Sequence, residues 1–145
     1  MALESAHALG FGPCFIGAGE HDAVWAKAHQ LYPDARTIPI NLDTWIDRDW
    51  LDAELANAGG KPLVVAQAAN NETGAIIATG RIGEIARRHG GALICDATQL
   101  FGKLGYGLVA GFADWAVVSS HKIGGPLGAG AVVTAPGVSI VNLRP

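Results

Sequence analysis

The chain has 145 residues, half of them apolar and 16% charged, with a formal charge of -3, which suffices for one domain with a core and excludes a disordered polyelectrolyte. Its 20 glycines are about twice the usual ~7% share, which argues against a helical bundle and leaves a turn-rich α/β or all-β domain. No Lys/Arg stripe exists to neutralise phosphates, so neither nucleic acid nor an anionic membrane is an expected partner.

The opening MALESAHALG carries Glu4 and no basic stretch, so it does not read as a secretion signal, and a cytoplasmic location is expected. Pro13 to Gly17 and Thr37 to Asn41 are short apolar runs bounded by Gly, Pro and Asp, as strands are. Between them Val24, Trp25, Ala28 and Leu31 recur at helical spacing, which predicts a helix over Asp22 to Leu31, stopped before Pro33. Asp49 is the expected cap of a second helix, with Leu51 and Leu55 on one face and Gly59-Gly60 as its stop. Pro62 to Ala68 is a near-continuous apolar run suited to a central parallel strand covered on both faces. Thr79 is expected to cap a third helix whose inner face carries Ile82, Ile85, Ala86 and His89, closed by Gly90-Gly91. Ala92 to Cys95, Trp115 to Ser119 and Ala129 to Thr134 complete the strands. The alternation predicts an α/β fold with a mainly parallel sheet and flanking helices.

Ile123 to Leu143 is uncharged and long enough for a membrane span, but its five Gly and two Pro make it turns and short strands. Cys14 and Cys95 are far apart and form no CxxC motif, which fits a reducing compartment. GFGPCFIGAG lacks the third glycine of a dinucleotide fingerprint, no Gly-Lys pair is followed by Ser or Thr, and GxSxG does not occur. No pair among the histidines has metal-ligand context, so no metal is expected.

Ligands of parallel sheets bind at the carboxyl ends of strands. Three strands here end in polar clusters: Asn70-Asn71-Glu72, then Asp96 with Thr98 and Gln99, then Ser119-Ser120-His121-Lys122. One such cluster is ordinarily just the start of a loop; three on one sheet edge, with a carboxylate, an amide, an imidazole and an amine, make a candidate site. Lys122, flanked by uncharged residues, is either a surface lysine in a turn or an amine able to form an imine with an aldehyde. A strand-end aspartate can hold a protonated ring nitrogen, and that pairing is what pyridoxal phosphate chemistry requires.

The strings AANNETGAI, LICDATQLFGKL and DWAVVSSHKIGGPLGAGAVV resemble the class V aminotransferase family of pyridoxal phosphate enzymes, most closely the cysteine desulfurases, from about Gly19 to Val133. The resemblance implies an aspartate aminotransferase-like large domain and pyridoxal 5'-phosphate as cofactor. In it, Lys122 carries the cofactor as an imine and shuttles the substrate's α-proton, and Asp96 keeps the ring nitrogen protonated. Gln99 donates to the phenolic oxygen, Ser119 and His121 bind the phosphate, and Asn71 stands near the substrate carboxylate. His21, in Glu-His-x-Ala-Val, stacks on the ring and takes part in proton transfer. Asn70 is assigned to loop hydrogen bonds, Ser120 to a position facing away from the phosphate, and Cys95 to an inert buried thiol. The chain departs from the family pattern at Ala68, Ile77 and Leu127.

The resemblance also implies that residues 1–145 are the middle of a large domain. The upstream phosphate-binding segment, the substrate-binding arginine, the loop with the sulfur-accepting cysteine and the small C-terminal domain would all lie outside it. The implied reaction is L-cysteine to L-alanine with a persulfide left on the enzyme, in a homodimer that hands sulfur to an acceptor protein. Another class V enzyme, either an aminotransferase or a selenocysteine lyase, is the alternative within the family; a non-catalytic interaction module is the alternative outside it.

Overall fold

The four inner strands of the sheet run through apolar sequence whose side chains point alternately to two cores, and that alternation organises the fold. The computed structural model describes residues 1–104 and 113–141. In chain order it comprises α1 (Ala2–Ala8), β1 (Cys14–Gly17), α2 (Asp22–Leu31), β2 (Arg36–Ile38), α3 (Arg48–Ala58), β3 (Leu63–Gln67), α4 (Thr79–Arg88), β4 (Ala92–Asp96), β5 (Trp115–Ser119), a short 3-10 helix (Ser120–Ile123) and β6 (Gly130–Thr134). The sheet order is β2-β1-β3-β4-β5-β6. Leu63 and Val65 of β3 pack with Leu3, Ala6 and Ala28 of α1 and α2, whereas Val64 and Ala66 pack with Leu51, Leu55, Ile82 and Ala86 of α3 and α4. Residues 63–67 are all buried, as a strand covered on both faces must be.

The pairs from β2 through β5 are parallel, and β6 runs antiparallel to β5. The segment between Ser119 and Gly130 contains one 3-10 turn, too short for the crossover that a parallel return needs. The expected parallel rhythm therefore ends at β5.

Other differences from the sequence reading have local causes. The second strand lies at Arg36–Ile38 rather than extending to Asn41, because Pro39 has no N–H for the ladder and Asn41 begins a turn by accepting from the N–H groups of Asp43 and Thr44. Asp47, not Asp49, caps α3, its carboxylate accepting from Trp50 N at 2.9 Å. Thr79 caps nothing: Ala78 holds the cap position and Thr79 is buried beside Cys95, to which it is hydrogen bonded. His89 is not on the inner face of α4; it terminates the helix and bonds Asp52 of α3 at 2.6 Å. The opening residues, read only for targeting, form α1, tied to the far end of the chain where Ser5 Oγ accepts from Val141 N at 3.1 Å. Among the described residues no helix is long and apolar enough to cross a membrane.

Candidate active site

Going from β1 to β2 the chain moves to one side, and going to β3 it moves to the other, so the sheet has its switch point between β1 and β3. Crevices at carboxyl ends beside such a point are where open α/β sheets bind ligands. A cavity of about 300 Å³ lies there, lined by residues following β1, β3, β4 and β5. His21, Asn71, Asp96, Gln99, Ser119, His121 and Lys122 all line it, so the seven candidate side chains, spread over a hundred residues of sequence, share one cavity.

Their hydrogen bonds fix which atoms remain for a ligand. Asp96 Oδ1 accepts from Thr98 N at 2.9 Å, and among the described residues no hydrogen bond engages its second oxygen. Gln99 Oε1 accepts from Lys103 Nζ at 2.8 Å, which orients the amide and leaves Nε2 as a donor. Ser119 Oγ and His121 Nδ1 are bonded at 2.8 Å. His21 caps α2 by accepting from Ala23 N at Nδ1, 3.1 Å, which puts the ring proton of the neutral imidazole on Nε2. Lys122 lies exposed in the 3-10 helix with no ion pair or hydrogen bond among the described residues.

Asn70 does hold its loop: Oδ1 accepts from the N–H groups of Glu72 and Thr73 and from the Thr73 hydroxyl. Ser120 bonds the carbonyls of Pro126 and Ala129 and is absent from the cavity wall. Burial pushes the Cys14 thiol up to about 12 and raises that of Cys95 still further, so both are inert.

Two participants escaped the sequence reading. Gln67, the last residue of β3, also lines the cavity; its signal was a lone amide at the end of the PLVVAQA run. Glu20 is buried, with Oε1 accepting from Gln67 N at 2.6 Å and Oε2 without a partner among the described residues. Burial pushes its carboxyl up to about 8. Nothing in the sequence separates this glutamate from a solvated one, because its neighbour Gln67 is 47 positions away.

The family model for aminotransferase class-V matches residues 13–139. The chain belongs to the aminotransferase class-V family. Among curated members of the family, cysteine desulfurase IscS of Anaeromyxobacter dehalogenans is 41% identical over 117 residues, covering 78% of this chain and 28% of the relative. A cysteine desulfurase of Nostoc sp. is 34% identical over 122 residues, covering 82% and 30%. The chain thus spans under a third of the length of these relatives. The NifS-like protein of Rickettsia africae superposes with a TM-score of 0.82 at 28% identity, over 99% of this chain and 39% of that one. An alanine–glyoxylate aminotransferase of Nostoc sp., at 22% identity and TM-score 0.74, shares the fold. The mostly parallel sheet is therefore aminotransferase-like, with cysteine-desulfurase-like homology in sequence.

Proposed function

We propose that this class V chain holds pyridoxal phosphate in the cavity at the switch point and supplies the cofactor half of a cysteine desulfurase centre. The observation that carries the reading is the convergence of Lys122, Asp96, Gln99, Ser119, His121, His21 and Asn71 on one cavity. The donor set fits the group: an amine for its aldehyde, a carboxylate for its ring nitrogen, an amide N–H for its phenolic oxygen, and hydroxyl and imidazole groups for its phosphate. When bound, that cofactor supplies an electron sink for a carbanion at the substrate's α-carbon.

The chain's own residues do the rest. Lys122 Nζ would hold the cofactor through its aldehyde carbon and is the amine that would take the substrate's α-proton. The remaining oxygen of Asp96 would accept a hydrogen bond from the ring N–H, and its charge would favour the protonated ring. Gln99, oriented by Lys103, donates through Nε2. With Nδ1 of His121 protonated and donating to Ser119 Oγ, the serine hydroxyl proton remains for the phosphate. His21 offers a flat face and an Nε2 proton. Asn71, exposed in the turn after β3 and lining the cavity, would stand near the substrate carboxylate. In the overall reaction L-cysteine becomes L-alanine, and its sulfur passes to a thiol as a persulfide. Neither Cys14 nor Cys95 can be that thiol, since both are buried with raised pKa. Residues 1–145 act on this reading as part of a large domain, with the acceptor thiol supplied from elsewhere.

The test is covalent mapping. Pyridoxal phosphate is added, absorbance in the visible is recorded, the protein is reduced with borohydride and its peptides are sequenced. Label on Lys122, abolished by Lys122→Ala, is expected; label on any other lysine, or none on folded protein, overturns the assignment.

A further inference from the structure

In β3, Ala68 N donates to Asp96 O of β4 at 2.8 Å, so the preceding N–H, that of Gln67, points toward β1. The β1–β3 pairing ends at Ile16↔Val65, two residues earlier, and β1 itself ends at Gly17. That N–H is buried and has no strand to bond. Glu20 fills the missing rung: the turn closed by Glu20 N to Gly17 O, 3.2 Å, brings its carboxyl back to accept from Gln67 N at 2.6 Å. The Gln67 side chain returns the contact, Nε2 donating to the carbonyl of Gly19, and Asn70 Nδ2 donates to the same oxygen at 3.1 Å. The indole of Trp45 closes the outer side, so near that a Cβ on Gly19 would stand 2.9 Å from its Nε1. Trp45 itself has φ 64, a left-handed backbone that a bulky residue adopts only under constraint from its surroundings.

Three side chains, those of Gln67, Asn70 and Trp45, therefore converge on Gly19, Glu20 reaches back to Gln67, and the next residue is His21. Building on the pyridoxal phosphate reading above, we propose that Glu20 and Gln67 are positioning residues for His21, locking the β1–α2 turn to the end of β3 and so setting where the imidazole stands at the cavity. The cap bond from Ala23 N fixes the ring's rotation, and the lock fixes the backbone that carries it. Among the described residues Glu20 has no cation beside it: Oε1 accepts from Gln67 N at the end of β3, and Oε2 is buried without a partner, so the carboxyl's hydrogen bonding serves to tie the turn to β3. The raised carboxyl pKa agrees with a neutral acid serving as a backbone acceptor.

The test uses the 145-residue chain with labelled histidine, carrying Val133→Lys on the edge strand in every sample to keep it dispersed, the His21 ring signal being assigned through His21→Gln. In Glu20→Ala the His21 signal is expected to move while those of His7, His29 and His89 stay in place, with about fivefold weaker retention of pyridoxal phosphate, the equivalent of one ordinary hydrogen bond. Glu20→Gln, whose amide oxygen still accepts from Gln67 N, restores both readouts. Gln67→Met keeps that backbone bond but loses the anchor on Gly19, and also moves the His21 signal. A His21 signal unchanged in Glu20→Ala, a shift shared by all histidines, or failure of Glu20→Gln to restore it overturns the proposal. Should Glu20→Ala not fold, an unmoved His21 signal in Gln67→Met does the same. If the parent chain binds no pyridoxal phosphate, the cofactor reading fails, and the His21 signal of the protein alone still decides for or against the lock.

Discussion

Glu20 makes stability depend on pH in a direction opposite to the usual acidic residue. Its carboxyl rises from 4.5 to about 8 on folding, through burial first and with the Asp96 charge adding to it, while the bond from Gln67 N works the other way. Folding therefore takes up a proton, and the stability this group allows is complete below about 4.5 and declines as pH rises to about 8. Glu20→Gln is expected to flatten that decline and to raise the melting temperature at pH 8 relative to the parent; equal slopes in parallel thermal melts would contradict it. At Gly19 the constraint is steric. A methyl there meets Trp45 Nε1 at 2.9 Å and Gln67 Nε2 at 3.1 Å. Gly19→Ala should cost about 1–3 kcal/mol in denaturant unfolding, as overpacking of a closed site does. The seven residues that share the cavity could be picked out one segment at a time, because each stands in a recognisable string at or just after a strand. Glu20, Gln67 and Trp45 were not, because their roles exist only between segments distant in sequence.

At the scale of elements, helix faces and strand runs could be read directly, whereas helix starts could not. Both Asp47 and Asp49 are competent caps by residue type, and the choice went to the one whose carboxylate reaches Trp50 N. Asp47→Ala should destabilise by about 1 kcal/mol, and Asp49→Ala, which lies in the first turn, by well under that in chemical denaturation. Gly59, with φ 66, ends α3 as its position in the sequence suggests. The His89–Asp52 bond joins α4 to α3, and together with Arg88 it holds the Asp52 carboxyl below its ordinary range. This exposed tie adds little stability above the ordinary aspartate range and loses it on acidification.

Across the whole molecule, the sheet carries an unequal pair of edges. β2 is three residues long with Arg36 ion-paired to Glu54 of α3, a short and charged edge. β6 is five residues of GAVVT, largely exposed, with Val133 41% accessible and bonded only to β5 among the described strands. Such an edge templates association, so the isolated chain should scatter light at micromolar concentration, and Val133→Lys should reduce that scattering. A monodisperse parent chain that melts cooperatively would count against this.

The sequence by itself determined the secondary-structure rhythm, the two-faced core and the motif residues, since apolar periodicity and turn chemistry act locally along the chain. Only the tertiary structure decided that β6 turns back antiparallel, that the switch point falls between β1 and β3, and that a glutamate from one strand end completes the ladder of another. Those depend on which segments meet in space, and a hydrogen bond between residues 20 and 67 leaves no trace in either neighbourhood until the sheet has brought them together.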